Sequence, residues 1–168
     1  DHNPEPGATF SDVFVYNAFG NYRNMLREMA YVPNMGNYLT YAYNKAYNVD
    51  GKFPDENFAR ELMQLFTIGV YELNSDGSEK KDPVTGSRME TYNNDDIQNA
   101  ARVWTGLQRH AHRGNLIKMW SGDQNYVDPM KIYPHDRDRN PKTKITGGHL
   151  GDGYPLCVDL PEQHFLAK

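Results

Sequence analysis

The sequence predicts a mainly α-helical fold with four core helices, a small β-hairpin insertion and a long irregular C-terminal wrap. Three observations support this prediction. The stretch Pro54–Gly69 has a helix start signal, an apolar stripe and a stop signal. Residues 70–92 hold two short strand-like runs separated by turn residues. Residues 107–168 are rich in Gly, Asp, Pro and His, and so long an irregular stretch usually has a function or is ordered by a neighbour.

The chain is expected to begin with an extended arm at residues 1–15, because this part has prolines and little periodicity. A helical core follows at residues 16–106. Its first helix should stop at Pro33, since the residue before a proline avoids the helical region. A second helix is expected from Asn34 to about Ala46, with Tyr41, Tyr43 and Asn44 facing water or a partner. The apolar stripes are Phe19, Tyr22, Leu26 and Met29 in the first helix, and Met35, Tyr38, Leu39 and Ala42 in the second.

The third helix is the stretch Pro54–Gly69. Asp55 is suited to cap its first amides, and Gly69 stands where a left-handed residue ends a helix. Arg60 points away from the apolar stripe, and Glu61 lies on the edge of that stripe. The stripe consists of Phe58, Leu62, Leu65 and Phe66.

The hairpin insertion and the fourth helix follow. Val70–Leu73 and Arg88–Tyr92 read as the two strands, and Glu79–Asp82 as a charged, exposed tip. Asn93 with Asp96 is a variant of the capping box at the start of the fourth helix. The stripe of this helix should pack against the third helix, and Gly106 should end it. The stripe consists of Ile97, Ala100, Ala101 and Trp104.

Composition and charge exclude several classes of protein. The formal net charge is −4, and no basic stripe follows the chain, which disfavours nucleic acid as a main partner. No apolar run is long enough to cross a bilayer. The single cysteine, Cys157, cannot form a disulfide or a cysteine-based zinc site within this chain, so it is either a buried thiol or pairs outside the segment. The 12 tyrosines suit a half-buried core or a wet interface.

Several stretches together resemble the domain-of-unknown-function 1800 family, in order over roughly residues 19–145. Two stretches stand out, Pro54–Gly69 and the Ala101-Arg102-Val-Trp-Thr-Gly106 end of the fourth helix. The others are Phe19-Gly-Asn-Tyr-Arg23, Pro33-Asn-Met35, Tyr92-Asn-Asn-Asp-Asp-Ile97, His135-Asp136 and Pro141-Lys-Thr143.

The resemblance implies a mostly helical, usually exported protein, extracellular or periplasmic, with no established activity. Members of the family are longer, and many have a Trp-His-Asn-His-Phe element upstream, which this sequence lacks. We therefore expect the chain to be a segment of a longer protein.

Two groups of residues are candidates for chemistry. Arg60, Glu61 and Arg102 could supply an acid or base with a shifted pKa. The alternative is a set of ionic bonds that fixes the third helix to the fourth, or to the loop after Gly106. His110 and His112, with His135 and Asp136, could form a nitrogen-and-oxygen metal site, but their spacing matches no standard zinc pattern. A divalent metal is therefore not the favoured interpretation, and no other cofactor is indicated.

Two oxygen-rich stretches resemble parts of calcium loops, but both read more simply as turns. They are Asn74, Asp76 and Ser78, and Asp123, Asn125 and Asp128.

Two functions remain open. The first is a structural or interaction module of an extracellular or cell-surface assembly, with other chains, the rest of its own chain or a second copy as partner. The second is part of a secreted, metal-dependent hydrolase-like enzyme, although no catalytic signature is present.

Overall fold

The computed structural model describes residues 4–111, 125–145 and 147–149. These residues form six α-helices and one short antiparallel pair of strands, which confirms the mainly α fold with a small β part. None of these helices is long and apolar enough to cross a membrane. The helices are α1 Glu5–Tyr16, α2 Tyr22–Met29, α3 Pro33–Tyr38, α4 Tyr47–Asp50, α5 Asn57–Gln64 and α6 Asn94–Val103; the strands are β1 Leu107–Gln108 and β2 Lys131–Ile132.

The N-terminal part is a helix rather than the extended arm predicted for residues 1–15. α1 spans Glu5–Tyr16 and so crosses the predicted boundary. Pro6 lies in its first turn, where the missing N–H has no intrahelical partner to lose, so the proline favours the start of a helix here. The side-chain amide of Asn17 donates to Glu28 (2.9 Å), which joins the end of α1 to α2.

The second predicted helix stops early. α3 ends at Tyr38, and Thr40 and Tyr43 adopt positive φ angles of 61° and 68°. This turn directs Tyr41 into the core, where it is completely buried and its hydroxyl donates to the carbonyl of Ala30 (2.9 Å). The expectation that Tyr41 faces water was therefore wrong, and Tyr38, assigned to the apolar stripe, is 80% exposed.

In the first predicted stripe, Met29 is buried but Phe19 and Tyr22 are exposed. The reason is that α2 begins only at Tyr22, with Asn21 as its cap, so Phe19 lies outside the helix. Tyr22 lies beside the end of α5, because its hydroxyl donates to the carbonyl of Phe66 (2.7 Å).

The third and fourth predicted helices, α5 and α6, pack against each other as expected. The capping box of Asn93 and Asp96 is present, and Asp55 accepts from the first amide of α5. Gly69 has the left-handed conformation predicted for it (φ +74°). The buried face of α5 is turned, however, because α6 covers Ala59 and Met63 beside Phe58, which leaves Leu65 67% exposed.

The core continues into the part of the chain predicted as a wrap. Tyr41 stacks on Phe58 with ring centroids 4.1 Å apart, and Trp104 meets Phe58 edge-on at 4.8 Å. Leu107 and Met130 belong to the same buried cluster. The segment after α6 is thus part of the core.

The insertion at residues 70–92 pairs as predicted, with one addition. The amide of Glu72 donates to Met89 (2.9 Å) and that of Thr91 to Val70 (3.0 Å), so the two outer runs form the expected antiparallel contact. The predicted tip around Lys80 is itself extended and bonds to both runs, through Glu72 and Met89. The insertion therefore has three short paired segments.

Gly106 links α6 to the following segment through a close backbone contact. It has a φ of +80°, its amide donates to Asn44 (2.8 Å), and its carbonyl accepts from the amide of Tyr133 (2.7 Å). A Cβ atom at this position would lie 2.8 Å from the carbonyl oxygen of Tyr133 and 3.2 Å from the Cβ of Arg137. Only glycine satisfies both the conformation and the space.

We predict that Gly106→Ala destabilises the chain by about 2–4 kcal/mol, because left-handed strain adds to a steric clash with backbone. Gly69→Ala is the matched control, since its φ of +74° is nearly the same and a Cβ there meets no atom within 4 Å. Gly69→Ala should cost only about 1–2 kcal/mol. Urea unfolding of both variants measures the difference, and equal losses would contradict the close contact at Gly106.

Candidate functional site

A buried ion cluster joins α6 to the segment after β2. Arg102 donates from Nε to Oδ2 of Asp138 (2.9 Å) and from Nη2 to Oδ1 (3.2 Å), a bidentate pair. Lys142 donates to Oδ1 of the same carboxylate (3.1 Å) and to the carbonyls of Asp138 and Asn140 (2.7 Å each). Thr105 completes the link, because its hydroxyl oxygen accepts from the amide of Asp138 (2.8 Å).

The burial of these side chains determines how strongly their charges interact. The side chains of Asp138 and Lys142 are 5% and 9% exposed, so water screens their interaction little. Burial alone raises the pKa of the Asp138 carboxyl, but the bonds from Arg102, Lys142 and the Asn140 amide outweigh it and hold that pKa at about 2. Burial also lowers the pKa of Lys142, against the opposing effect of Asp138. The Asp138 carboxyl is therefore ionised at neutral pH, and its bonds hold two parts of the fold together.

The first predicted group of residues is divided between two places. Arg102 lies in the ion cluster, where it fixes α6, and not the third predicted helix, to the segment after β2. Arg60 instead pairs with Glu56 on its own helix (3.0 Å), where both side chains are about a third or more exposed. Glu61 lies half-buried on α5. In the described part of the chain, no hydrogen bond or ion pair joins any of these three side chains to another.

The structure does not bring the predicted metal ligands together either. Within the described part of the chain, no three His, Cys, Asp or Glu residues lie close enough to hold a metal ion. Nδ1 of His135 lies 3.3 Å from Asp136, while the backbone carbonyl of His110 accepts from the amide of Asn125. His112 and Cys157 lie outside the described residues.

The two oxygen-rich stretches use their oxygens within the protein. Asp76 accepts from the amide and hydroxyl of Ser78 (2.9 and 2.6 Å), and these bonds lower the pKa of its carboxyl. Asn125 accepts from the amides of Val127 and Asp128 (3.0 Å each). Both stretches are turns, and Asp123 lies outside the described residues.

A cationic groove lies on the outer side of the segment that holds the ion cluster. Its walls come from α4 and from the 3₁₀ turn Pro134–Asp136 with the residues after it, and its volume is about 470 Å³. Among the described residues, the lining contains two guanidinium groups, one imidazole and two amides, and no carboxylate, hydroxyl or thiol. The lining residues are Asn48, Val49, His135, Arg137, Arg139 and Asn140. Such a lining favours binding of an anion over nucleophilic catalysis.

Exposed apolar residues also occur near the end of α1, the start of α2 and the end of α5. α1 presents Val15 and Tyr16 to solvent at 69% and 83% exposure, and Phe19 follows fully exposed. The hydrogen bond between Tyr22 and Phe66 joins the start of α2 to the residues after α5. We refer to the exposed apolar residues of these segments as the apolar patch; they are Val15, Tyr16, Phe19, Tyr22, Leu65 and Ile68.

The model of a protein family described as "Protein of unknown function (DUF1800)" matches residues 4–153. The chain belongs to the DUF1800 family. No curated protein and no solved structure matches it significantly. Two of the stretches by which the sequence resembles DUF1800 proteins lie at the ion cluster and the Gly106 turn. Ala101–Gly106 supplies Arg102, Thr105 and Gly106, and Pro141–Thr143 supplies Lys142.

Sequence reasoning missed Asp138, the centre of the ion cluster, and Arg137 and Arg139 of the groove. A signal was present, because His135 to Arg139 reads His-Asp-Arg-Asp-Arg, an alternation of acidic residues with cationic or titratable ones. In an extended segment, alternate side chains point to opposite sides. Burial in the structure alternates in the same way, although His135 and Asp136 lie in the 3₁₀ turn, since Asp136 and Asp138 are buried and the other three residues line the groove.

We predict that Asp138→Asn lowers the free energy of unfolding by about 3–5 kcal/mol, because it leaves two buried cations without their counter-ion. Glu79→Gln is the control. Its ion pair with Arg88 is exposed on the insertion, with side chains 43% and 52% accessible, so its loss should cost less than about 1 kcal/mol. Chemical denaturation at neutral pH measures both, and similar losses would exclude a buried ionic link.

The ion cluster also predicts acid sensitivity. The folded pKa of Asp138 lies at about 2, below its ordinary value of 3.8, so its contribution is complete above that ordinary value and declines as the pH falls toward 2. By linkage the wild-type chain should lose about 1 kcal/mol from this group by about pH 3.

Arg102→Gln removes the largest hydrogen-bonding cause of this shift, so it should shrink the acid-dependent part of the stability. Urea unfolding at several pH values tests this expectation. An unchanged pH dependence in Arg102→Gln would contradict the assignment to Asp138.

Proposed function

We propose that this chain is a structural and interaction module of an extracellular or cell-surface assembly. The observation on which the proposal rests is the apolar patch. Contiguous exposed apolar surface marks protein–protein contacts in soluble proteins, and we propose that these residues form such a surface. We further propose that the patch meets another protein surface through its aromatic residues, which are the usual anchors of such contacts.

The packing of α1 supports this proposal. Among its twelve residues, only Pro6 is buried, although the helix contains Phe10, Val13, Phe14, Val15 and Tyr16. A helix of this length has little stability of its own in water and depends on burial of an apolar face. A partner that covers Val15 and Tyr16 would supply the missing burial.

The role of the family stretches also supports a structural function. Arg102, Lys142 and Gly106 bind other parts of the chain rather than an open cavity. The residues with the most marked electrostatic environment are therefore part of the core. No observation among the described residues favours the hydrolase alternative to a similar degree.

We also propose that the protein acts outside the cytoplasm, as the resemblance to exported proteins suggests. Fractionation of cells that make the protein, with detection by an antibody, would test the location. Recovery in the cytoplasm alone would contradict the proposal.

The patch gives a direct prediction for self-association, with a second copy as the partner. The wild-type chain should form dimers or larger species as its concentration rises, and the double variant Val15→Ser/Phe19→Ser should stay monomeric, because both changes remove exposed apolar surface. Light scattering after size-exclusion chromatography measures the mass.

Val84→Ser is the control for this experiment. Val84 is 90% exposed but lies on the insertion, so its substitution should leave the mass unchanged. If the wild-type chain is monomeric at all concentrations, the patch does not join two copies. If Val84→Ser matches the double variant, the association is not specific to the patch.

A further inference from the structure

Arg109, the residue after β1, is a half-buried cation that neutral groups hold in place. Its Nε donates to the hydroxyl oxygen of Tyr43 (3.1 Å), and its Nη1 donates to Oδ1 of Asn37 (2.9 Å). Its guanidinium carbon lies 4.9 Å from the ring centroid of Tyr43 and 4.5 Å from that of Tyr126. We call these four residues the Arg109 cluster. Among the described residues, the contacts of Arg109 orient its charge without supplying a counter-ion.

The backbone beside the cluster is strained. Tyr43 has a φ of +68° and Thr40 a φ of +61°, in the left-handed region that bulky and β-branched residues rarely occupy. The Tyr43 amide donates to the carbonyl of Leu107 (2.8 Å), which fixes Tyr43 next to β1. Strain of this kind persists only where the surrounding structure holds it, and it is concentrated at functional sites such as ligand clamps. The Tyr43 side chain is nevertheless 40% exposed, so a ligand can reach it.

The cluster has hydrogen-bond donors that its own contacts do not use. A guanidinium has five N–H groups in one plane, and the bonds to Tyr43 and Asn37 use one from Nε and one from Nη1. Both N–H groups of Nη2 are without an acceptor in the described part of the chain. The Tyr43 oxygen is the acceptor in its bond with Arg109, so its own O–H can donate elsewhere. These donors can bind the two oxygens of a carboxylate.

The composition of the cluster indicates what carries the carboxylate. Its single guanidinium matches a single negative charge, whereas multiply charged oxyanions are typically bound by several cations or by rows of backbone amides. A tyrosine ring offers an apolar face and a polar tip. Such rings suit the C–H face and the hydroxyl groups of a sugar, which an inorganic anion lacks.

We propose that the Arg109 cluster binds the carboxylate of a uronic acid, with Arg109 as the cationic donor and the tyrosine rings beside the sugar. The uronic acid is either a free sugar or a unit of an acidic polysaccharide, since both present the same group. The site shares no residue with the apolar patch or the cationic groove, and it does not depend on the function proposed for the patch. Because the hydrogen bonds of Arg109 lie at the surface, binding should weaken as the salt concentration rises.

The test is calorimetric titration of the full chain at low ionic strength with galacturonate, a galacturonate oligomer, inorganic phosphate and galactose, which lacks the carboxylate. Galacturonate should bind saturably and at least about tenfold more tightly than galactose, because only the acid makes charge-assisted bonds to Arg109. Phosphate should bind more weakly than galacturonate, since it gains nothing from the tyrosine rings.

Asn37→Asp tests the role of the uncompensated charge without removing Arg109. It replaces the amide oxygen that accepts from Arg109 with a carboxylate, so it should weaken galacturonate binding at least about tenfold while the chain stays folded. Asn94→Asp is the matched control, because it adds the same charge at the exposed first residue of α6, where the helix dipole tolerates it. This control should stay within about twofold of wild type.

Arg109→Lys gives a second, independent test. It keeps the charge but removes the planar fork, so it should weaken binding at least about fivefold. Arg88→Lys is its control and should have no effect, because Arg88 also lies over a tyrosine ring (4.1 Å) but already pairs with Glu79.

Four results would overturn the proposal: no saturable binding of galacturonate, equal affinity for galactose, phosphate binding as tight as that of galacturonate, or equal weakening by Asn37→Asp and Asn94→Asp. Unchanged binding in Arg109→Lys would overturn it as well. Within a positive result, an oligomer that binds more tightly per uronate unit than the monomer identifies a polysaccharide ligand. Similar affinities per unit identify the free sugar.

Discussion

The rest of this structure depends on the bidentate pair between Arg102 and Asp138, with Lys142 beside it. α6 packs on α5 through small apolar side chains, but the segment after β2 has almost no regular hydrogen bonding of its own. A buried carboxylate that binds two cations fixes that segment at one position. Removal of one partner from such a cluster is costly, because the remaining charges lose both water and counter-ion. The fold therefore tolerates an irregular segment in its core.

The same segment connects structure with surface chemistry. Along residues 135–139, Asp136 and Asp138 are buried, Asp138 in the ion cluster, while His135, Arg137 and Arg139 line the cationic groove. The position of Arg139 in the groove thus follows from the burial of Asp138 next to it. Gly106 adds a second restraint, because its carbonyl bonds Tyr133 just ahead of the alternating residues. Because the ion cluster holds the inner side of this segment in place, the groove on its outer side has a fixed shape.

Local signals in the sequence predicted the parts of the fold that local physics controls. The capping box at Asn93, the left-handed Gly69 and the contact of α5 with α6 needed only spacing and cap chemistry. The inward turn of Tyr41 could not be predicted, because it depends on positive φ angles at residues that are not glycine. The outward face at Leu65 could not be predicted either, since the packing of α6 selects which residues of α5 are buried.

The candidate site was harder to predict from the sequence, because its residues are far apart in the chain and meet only in the folded protein. Arg102 and Asp138 are 36 residues apart, and Asn48 lies still further from Arg139. The alternation of charges from His135 to Arg139 indicates an extended segment with two different sides. It does not indicate which side is buried, since that choice depends on where Arg102 and Lys142 lie in the folded chain.

Residues 131–144 should unfold together with the helical core. Native-state hydrogen exchange at the amides of Tyr133 and Asp138 tests this directly, because these amides donate to Gly106 and to Thr105 across the contact with α6. Both should exchange with the same opening free energy as the buried Ala101 of α6, and that energy should equal the global free energy of unfolding. Exchange of Tyr133 and Asp138 through a local opening of much lower energy, while Ala101 stays protected, would contradict the claim.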